Sequence, residues 1–339
     1  METSQEDMKL LGVFGICRES HKIMSPWRKI FNQIALAFIL PCSIFLAQTR
    51  TSKIQISRIQ DQGYWGEYTY TSPDRVVHIR LNVAHFAFPF ICSLLSTSAV
   101  VYTIACIYAN RDVSFKKVVS ILPQVCIRKR LIITFIVTYL LIFLYMAVTG
   151  GALAFCLRIN GGIASLFLSF IVLIGWIVGF VYITTVLQLA SVVTILEESH
   201  GVEAMKRSRN LTKGKFRVVL SISFILNVVV WTIHFVFYNF VSQGIALGMW
   251  RRAIVGFVCL AVLVTVYLYG LVLQTITYFV CKSYHNEIID KATLSQHLGE
   301  YEGRFYDPNA VQLKQIYSVA LIRAVETINI VLDKLLNMY

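Results

Sequence analysis

The sequence predicts an all-α membrane protein: a polytopic bundle of six transmembrane helices with amphipathic helices on its cytoplasmic side. Of its 339 residues 57% are hydrophobic and 14% are charged, whereas soluble domains carry about 25% charged residues. The apolar residues also fall into runs long enough to cross the roughly 30 Å hydrocarbon core of a bilayer. Together these observations exclude a secreted domain, a disordered chain and a soluble nucleotide-binding enzyme.

Six long stretches without Asp, Glu, Lys or Arg define the predicted spans. They cover residues 31–48, 82–109, 131–157, 163–193, 218–243 and 254–281. The first is the shortest and contains Pro41, which predicts a kink rather than a break in a membrane helix. It begins too deep in the chain for a cleaved signal peptide, so we interpret it as an uncleaved signal anchor.

The spans divide the chain into an amphipathic N-terminal segment (1–30), a transmembrane domain (31–281) and a tail (282–339). Alternate segments between the spans, starting at the N-terminus, hold 23 of the 31 Lys and Arg residues. Because cytoplasmic segments retain cations, both termini are predicted to be cytoplasmic. The expected location is the endoplasmic reticulum or another secretory membrane, with the plasma membrane as an alternative.

Three predicted cytoplasmic segments combine cations with apolar residues at helical spacing, which is typical of helices on an anionic leaflet. In the first segment the apolar positions are Leu10, Val13, Phe14 and Cys17. The other two, 112–130 and 197–217, occupy matching places between spans, which hints at an internal duplication. Their predicted lipid-surface contacts are Lys116, Lys117, Lys206, Arg207, Arg209 and Lys213.

Residues 197–217 are the most informative of these segments. Their predicted apolar side consists of Val202, Met205, Ser208 and Leu211. Glu197 and Glu198 stand at the start, where a helix dipole favours anions, and Gly214 stands where glycine commonly ends a helix.

Small and polar residues inside the spans favour helix packing. Gly175 and Gly179 form a GxxxG step, and Ser165 and Ser169 form a second pair of small residues on the same span. Interhelical hydrogen bonds are the expected role of the in-span amides, which are Asn32, Gln33, Gln188, Asn227, Asn239 and Gln274.

Catalytic signals are sparse. The spans contain no carboxylate, and the eight cysteines form no CxxC pair, so we expect no metal and no cofactor. His285 and Asp290 match the HxxxxD spacing in which an Asp orients a His general base. About 0.15 such matches are expected by chance from seven His and seven Asp, and the companion motifs of an acyltransferase are missing.

Three runs carry a family resemblance: LLGVFGICRESHKIMSPWRKIFNQIALAFILP, TILEESHGVEAMKRSRNLTKGKFRVV and FVCKSYHNEIIDKATLSQHL. Together they resemble a plant family of six-span membrane proteins without an established activity, over residues 8 to about 300. Some of its members carry a label pointing to a poly(A)-binding-protein partner. The second run is also locally similar to the membrane domain attached to bacterial glycerophosphodiester phosphodiesterases. That resemblance implies a membrane module without the phosphodiesterase activity, which belongs to a separate soluble barrel.

The tail contains one apolar helical seam. Its residues, at alternating spacings of four and three, are Leu321, Val325, Ile328, Leu332 and Leu335. Few cations accompany this seam, so it favours docking onto a protein rather than onto anionic lipid.

The predicted function is therefore a non-enzymatic membrane module of the plant secretory system, which binds anionic lipids and a protein partner and no nucleic acid directly. The alternatives are a facilitator for a small or amphiphilic solute and a lipid-modifying enzyme. A facilitator would need a continuous cavity between spans, and the enzyme would need His285 in a pocket beside Asp290.

The topology makes one prediction about modification. Asn210, in the chain's N-x-[ST] sequon Asn-Leu-Thr, is predicted to lie in the cytoplasm, out of reach of glycosylation. Expression in a eukaryotic secretory system should therefore give the same gel mobility for the protein and for Asn210→Gln, with or without glycosidase. A glycan on Asn210 would show that the predicted orientation of the spans is reversed.

Overall fold

The computed structural model describes residues 9, 11–44, 72–127, 129–158, 163–197, 199–242 and 248–287, and every regular element in them is a helix. The predicted all-α class is thus confirmed. Five helical stretches are long and apolar enough to cross a membrane: Phe88–Tyr108, Arg130–Cys156, Phe167–Leu196, Phe216–Val241 and Trp250–Tyr284. They correspond to the second to sixth predicted spans.

Nine α-helices are present in the described residues. They are α1 Val13–Met24, α2 Arg28–Ile34, α3 Ser72–Tyr108, α4 Phe115–Ile127, α5 Lys129–Arg158, α6 Ile163–Leu196, α7 Gly201–Thr212, α8 Phe216–Phe237 and α9 Met249–Tyr284. Two stretches of π-helix, Ala35–Ile39 and Tyr238–Ser242, continue α2 and α8.

The predicted first span is helical as far as it is described. Helix continues past Pro41 to residue 44, and residues 45–48 lie outside the described residues. Just before the proline, the N–H of Leu40 donates to the carbonyl of Ala35, five residues back. Proline has no N–H to donate. Next to this missing donor, the helical hydrogen bonds change from the carbonyl four residues back to the carbonyl five residues back, which is a π-turn. Whether this helix crosses a membrane stays a prediction.

Helix α3 begins at Ser72, ten residues before the start predicted for its span at residue 82. Hydropathy detects only the part of a helix that suits hydrocarbon, whereas backbone hydrogen bonding sets the length of the helix itself. The predicted loop from 49 to 81 is therefore shorter than expected, and its aromatic residues Tyr64, Trp65, Tyr68 and Tyr70 lie outside the described residues.

The order of span, short helix and span occurs twice, as α3–α4–α5 and as α6–α7–α8. Both short helices lie at one end of the bundle. Helix α1 lies along α9, and Lys215, at the start of α8, donates from Nζ to the carbonyl of Leu11 over 2.9 Å. The segments 11–28, 109–130, 197–217 and 282–287 therefore gather there, and we call this the charged end. Cations of the N-terminal helix, of α4 and of α7 therefore share this end, and the side of a membrane on which it lies stays a prediction.

The buried core lies toward the charged end. Residues 96–106 of α3 and 189–195 of α6 are all buried. Toward the opposite end the helices expose large apolar side chains, such as Phe155, Phe167 and Phe257, the last 73% exposed. Apolar surface on this scale marks a region that contacts other molecules or a membrane, and here it lies on the membrane-length helices.

The small residues of α6 have different surroundings. A Cβ added at Gly179 would collide with the hydroxyl of Tyr145 on α5, whereas nothing lies within 4 Å of one at Gly175. Tyr145 donates from this hydroxyl to the carbonyl of Trp176 over 2.9 Å. Ser169 is buried, and the side chain of Ser165 lies outside the described part. A side chain at 179 would thus displace Tyr145 from its position between α5 and α6, whereas one at 175 would meet open space.

Replacing each glycine by alanine tests this difference. Both substitutions gain the same helix propensity, but Gly179→Ala also displaces Tyr145 from the Trp176 carbonyl and is expected to be about 1 kcal/mol less stable than Gly175→Ala. The free energy of unfolding in detergent micelles, followed by circular dichroism, measures the difference. Equal stabilities would show that the glycines are interchangeable.

Candidate functional site: the charged end of the bundle

Helix α7 packs one side against the bundle and exposes cations on the other. Its buried residues are Gly201, Ala204, Met205, Ser208, Leu211 and Thr212. The exposed cations are Lys206 and Arg209 on the helix and Lys213 directly after its last residue. Of the predicted apolar side, Met205, Ser208 and Leu211 are buried, but the prediction for Val202 is wrong because its side chain is 57% exposed. Gly201 and Ala204, instead of Val202, lie between α7 and the bundle, and their small size allows α7 to approach the bundle closely.

Hydrogen bonds between hydroxyl and main-chain groups fix α7 on its neighbours. The N–H of Gly201, which has φ +57°, donates to Oγ1 of Thr134 over 2.8 Å, and this oxygen lies 3.1 Å from Oγ1 of Thr194. Ser208 donates to the carbonyl of Val186 on α6 over 2.9 Å. We missed these contacts in the sequence, since an in-span Thr or Ser more often bonds its own helix.

A cluster of charged groups joins the end of α6, the middle of α7 and the end of α9. Oε2 of Glu197 accepts from Nε of Arg207 over 3.1 Å, and Oε1 accepts from the Tyr278 hydroxyl over 2.7 Å and from Nζ of Lys282 over 3.2 Å. Arg207 also donates from Nη2 to Glu287. We call these five residues the ion cluster. The prediction that Glu197 serves the dipole of the following helix is wrong, because the first turn of α7 holds Glu203 instead.

The surroundings of Glu197 stabilise its carboxylate in the charged form. Its side chain is only 15% exposed, and burial alone would raise its pKa. The Tyr278 hydroxyl and the Lys282 and Arg207 cations outweigh burial and hold the pKa below the ordinary value of 4.5. The carboxylate therefore keeps its charge at neutral pH and binds two helices to the end of α6.

The other predicted surface helices are also packed on one side. Helix α1 buries Ile16, Ser20 and Ile23, whereas Phe14, from the predicted apolar side, is 90% exposed. Val13 and Cys17 are half-buried, and Leu10 lies outside the described residues. Helix α4 buries Val118, Ile121 and Leu122, with Lys116 exposed and Lys117 half-buried.

His285 lies at the end of α9 and is engaged by the main chain. Its Nε2 is 3.1 Å from the carbonyl oxygen of Leu211. Asp290, the other half of the HxxxxD match, lies outside the described residues. The described geometry thus gives His285 a contact that holds α7 against α9.

A small, mostly apolar cavity of about 30 Å³ lies between α6, α8 and α9. Its lining includes Gln188 and Gln274, and Gln274 donates to the Gln188 carbonyl and to the Ser191 hydroxyl. This volume is about that of one water molecule. Asn227 and Asn239 bond carbonyls of their own helix instead. Of these four side-chain amides, that of Gln274 therefore links two spans, and Gln188 contributes its main-chain carbonyl to this link.

An apolar groove of about 410 Å³ opens between α5 and α6, and α7 closes one of its ends. Leu144 and Val148 line it from α5, Ile183 and Leu187 from α6, and Met205 from α7. It thus extends along two membrane-length helices to the face of α7 beside the exposed cations.

Five apolar helices of membrane length and a compact charged end together define an integral, multi-pass helical membrane protein. The chain belongs to the DUF8558 family, a domain of unknown function whose model matches residues 1–316. No curated protein and no solved structure matches the chain.

The ion cluster predicts a specific pH dependence. The pKa of Glu197 is lowered on folding, so its contribution to stability is present above about pH 4.5 and is lost as the pH falls through the lower pKa of the folded state. Glu197→Gln should cost about 2 kcal/mol at pH 7, because Arg207 and Lys282 lose a charged acceptor. It should also flatten the acid limb of the stability curve, measured as the unfolding midpoint in detergent from pH 7 to pH 3.

Glu203→Gln is the matched control, since Glu203 is exposed on the same short helix. It should retain the acid limb of the wild type. If both variants give the same curve, Glu197 does not hold the charged end together.

Proposed function

We propose that this protein is a non-enzymatic module of plant secretory membranes whose charged end holds anionic lipid headgroups. The observation that carries the proposal is the division of α7 into a buried side of small and apolar residues and an exposed side with Lys206, Arg209 and Lys213. Packing fixes the helix, so these cations are presented without the entropy cost of ordering a free loop.

The spacing of the exposed cations suits a row of headgroups. Lys206, Arg209 and Lys213 lie within two turns, about 10 Å along the helix axis. Each cation near an anionic leaflet contributes about 1 kcal/mol, and exposed Lys116 on α4 adds a fourth. Arg207, which we predicted as a lipid contact, pairs with two carboxylates, and we assign it to positioning α7.

The reactive side chains of the charged end support binding rather than catalysis. Glu197 is occupied by ion pairs, and His285 contacts a main-chain carbonyl. A general acid or base needs a side chain free to reach substrate. The lipid-modifying alternative depends on Asp290 and stays a prediction.

The alternative function, passage of a small solute, gains little support from the small cavity at Gln188 and Gln274. A cavity of about 30 Å³ holds a single water, so passage would require the spans to separate. The predicted tail helix, whose apolar seam extends from Leu321 to Leu335, lies outside the described residues and is the proposed docking segment for a protein partner.

Neutralising two exposed cations tests the proposed lipid contact. The full-length protein is reconstituted into mixed phosphatidylcholine and phosphatidylserine vesicles, and spin-labelled lipids report relative association by electron paramagnetic resonance. Wild type should prefer phosphatidylserine, and the preference should fall as salt shortens the Debye length from about 10 Å at 0.1 M to about 3 Å at 1 M. Lys116→Gln with Lys206→Gln should reduce it by up to about 2 kcal/mol in total.

Lys116→Arg with Lys206→Arg keeps both charges and is the matched control, with the preference expected to survive. Equal association of both lipids with wild type, or a preference insensitive to salt, would reject the proposal.

A further inference from the structure

The groove between α5 and α6 has the chemistry of a binding site for one acyl chain. Its lining residues on these helices fall inside the membrane-length stretches Arg130–Cys156 and Phe167–Leu196. Tyr145 also lines it, but its hydroxyl is already bonded to the carbonyl of Trp176. Apolar walls at membrane depth are in contact with lipid acyl chains rather than with water.

The end of the groove at α7 is bordered by positive charge. Met205 lines the groove from α7, and Arg209 lies one turn further on the same side of the helix. Lys213 follows one turn after Arg209, and both are exposed. Exposed Glu203 lies about 160° around the helix from Met205, since each residue turns the helix by about 100°. An anionic group at this end would thus meet cations and not the carboxylate.

We propose that this groove binds a single anionic phospholipid, with one acyl chain between α5 and α6 and the phosphate held by Arg209 and Lys213. This inference rests on the proposed function and deepens it, because it turns a general attraction to an anionic leaflet into one defined site. The groove volume of about 410 Å³ accommodates a segment of chain, and the charge at its end selects the headgroup.

Photoreactive lipids locate the chain directly. Phosphatidylserine and phosphatidylcholine, each with a diazirine in the acyl chain, are incorporated with the full-length protein into nanodiscs, irradiated, and mapped by mass spectrometry of peptides. Phosphatidylserine should label residues 141–148 and 182–187 up to about thirtyfold more than phosphatidylcholine, the preference that two nearby cations provide at about 1 kcal/mol each. Both lipids should label the exposed apolar surface at residues 167–174 equally.

Two variants separate the parts of the site. Leu144→Trp fills the groove and should lower labelling of residues 182–187 by both lipids, whereas Leu168→Trp, on an exposed surface of α6, should leave that labelling unchanged. Arg209→Gln with Lys213→Gln should remove the excess labelling by phosphatidylserine. Arg209→Lys with Lys213→Arg should retain it.

Uniform labelling of the groove and of residues 167–174 by both lipids would overturn the site, as would Leu144→Trp without effect in a protein that remains monodisperse and helical. If salt-sensitive preference for phosphatidylserine in vesicles persists in that case, the groove fails and the proposed function stands. If that preference is also absent, both fail.

Discussion

The charged end depends on one constraint, the neutralisation of the buried carboxylate of Glu197. An unpaired charge in this position would cost several kcal/mol, and the chain supplies partners from two other helices. Arg207 comes from α7, and Tyr278 and Lys282 come from successive turns of α9. Because the carboxylate lies directly after α6, its pairing joins the end of α6 to the middle of α7 and the end of α9. Arg207 extends the cluster to Glu287, beyond the end of α9.

The long helices that meet near this cluster have different surroundings at their two ends. Near the charged end the helices bury one another and are covered by α1, α4 and α7. Toward the opposite end they expose Phe155, Phe167, Phe257 and similar side chains. Helix α9 is 36 residues long, about 54 Å at 1.5 Å per residue, well beyond the roughly 30 Å of a hydrocarbon core. The extra length allows the same helices to be long enough for a membrane and also to form the packed core near the charged end.

The sequence predicted the helices well because hydrocarbon imposes a simple requirement on composition. Five predicted spans match helices to within a few residues, except where α3 continues as helix for ten residues before its apolar run. The glycine at 214, with φ +93°, follows α7 as its position predicted. These features depend on local sequence alone.

The site was harder to predict because its contacts join distant parts of the chain. A charge count treats Arg207 and Arg209 alike, yet the two lie on opposite edges of the buried side of α7, one facing a carboxylate and the other exposed. The pairing of Thr134 with Gly201 depends on how α5 and α7 approach. The groove likewise lies between two helices and α7, and no pattern along any one of them reveals it.

The packing of α1 constrains how the molecule is assembled. The Tyr269 hydroxyl donates to the carbonyl of Cys17 over 3.0 Å, so the first helix rests on the last one. These two residues are 252 positions apart in the chain. Helix α1 is therefore synthesised long before α9, and Ile16 and Ile23 stay uncovered until α9 has been inserted. Packing of α1 onto α9 is thus among the last steps in folding. A nascent chain truncated before α9 would leave Ile16 and Ile23 exposed.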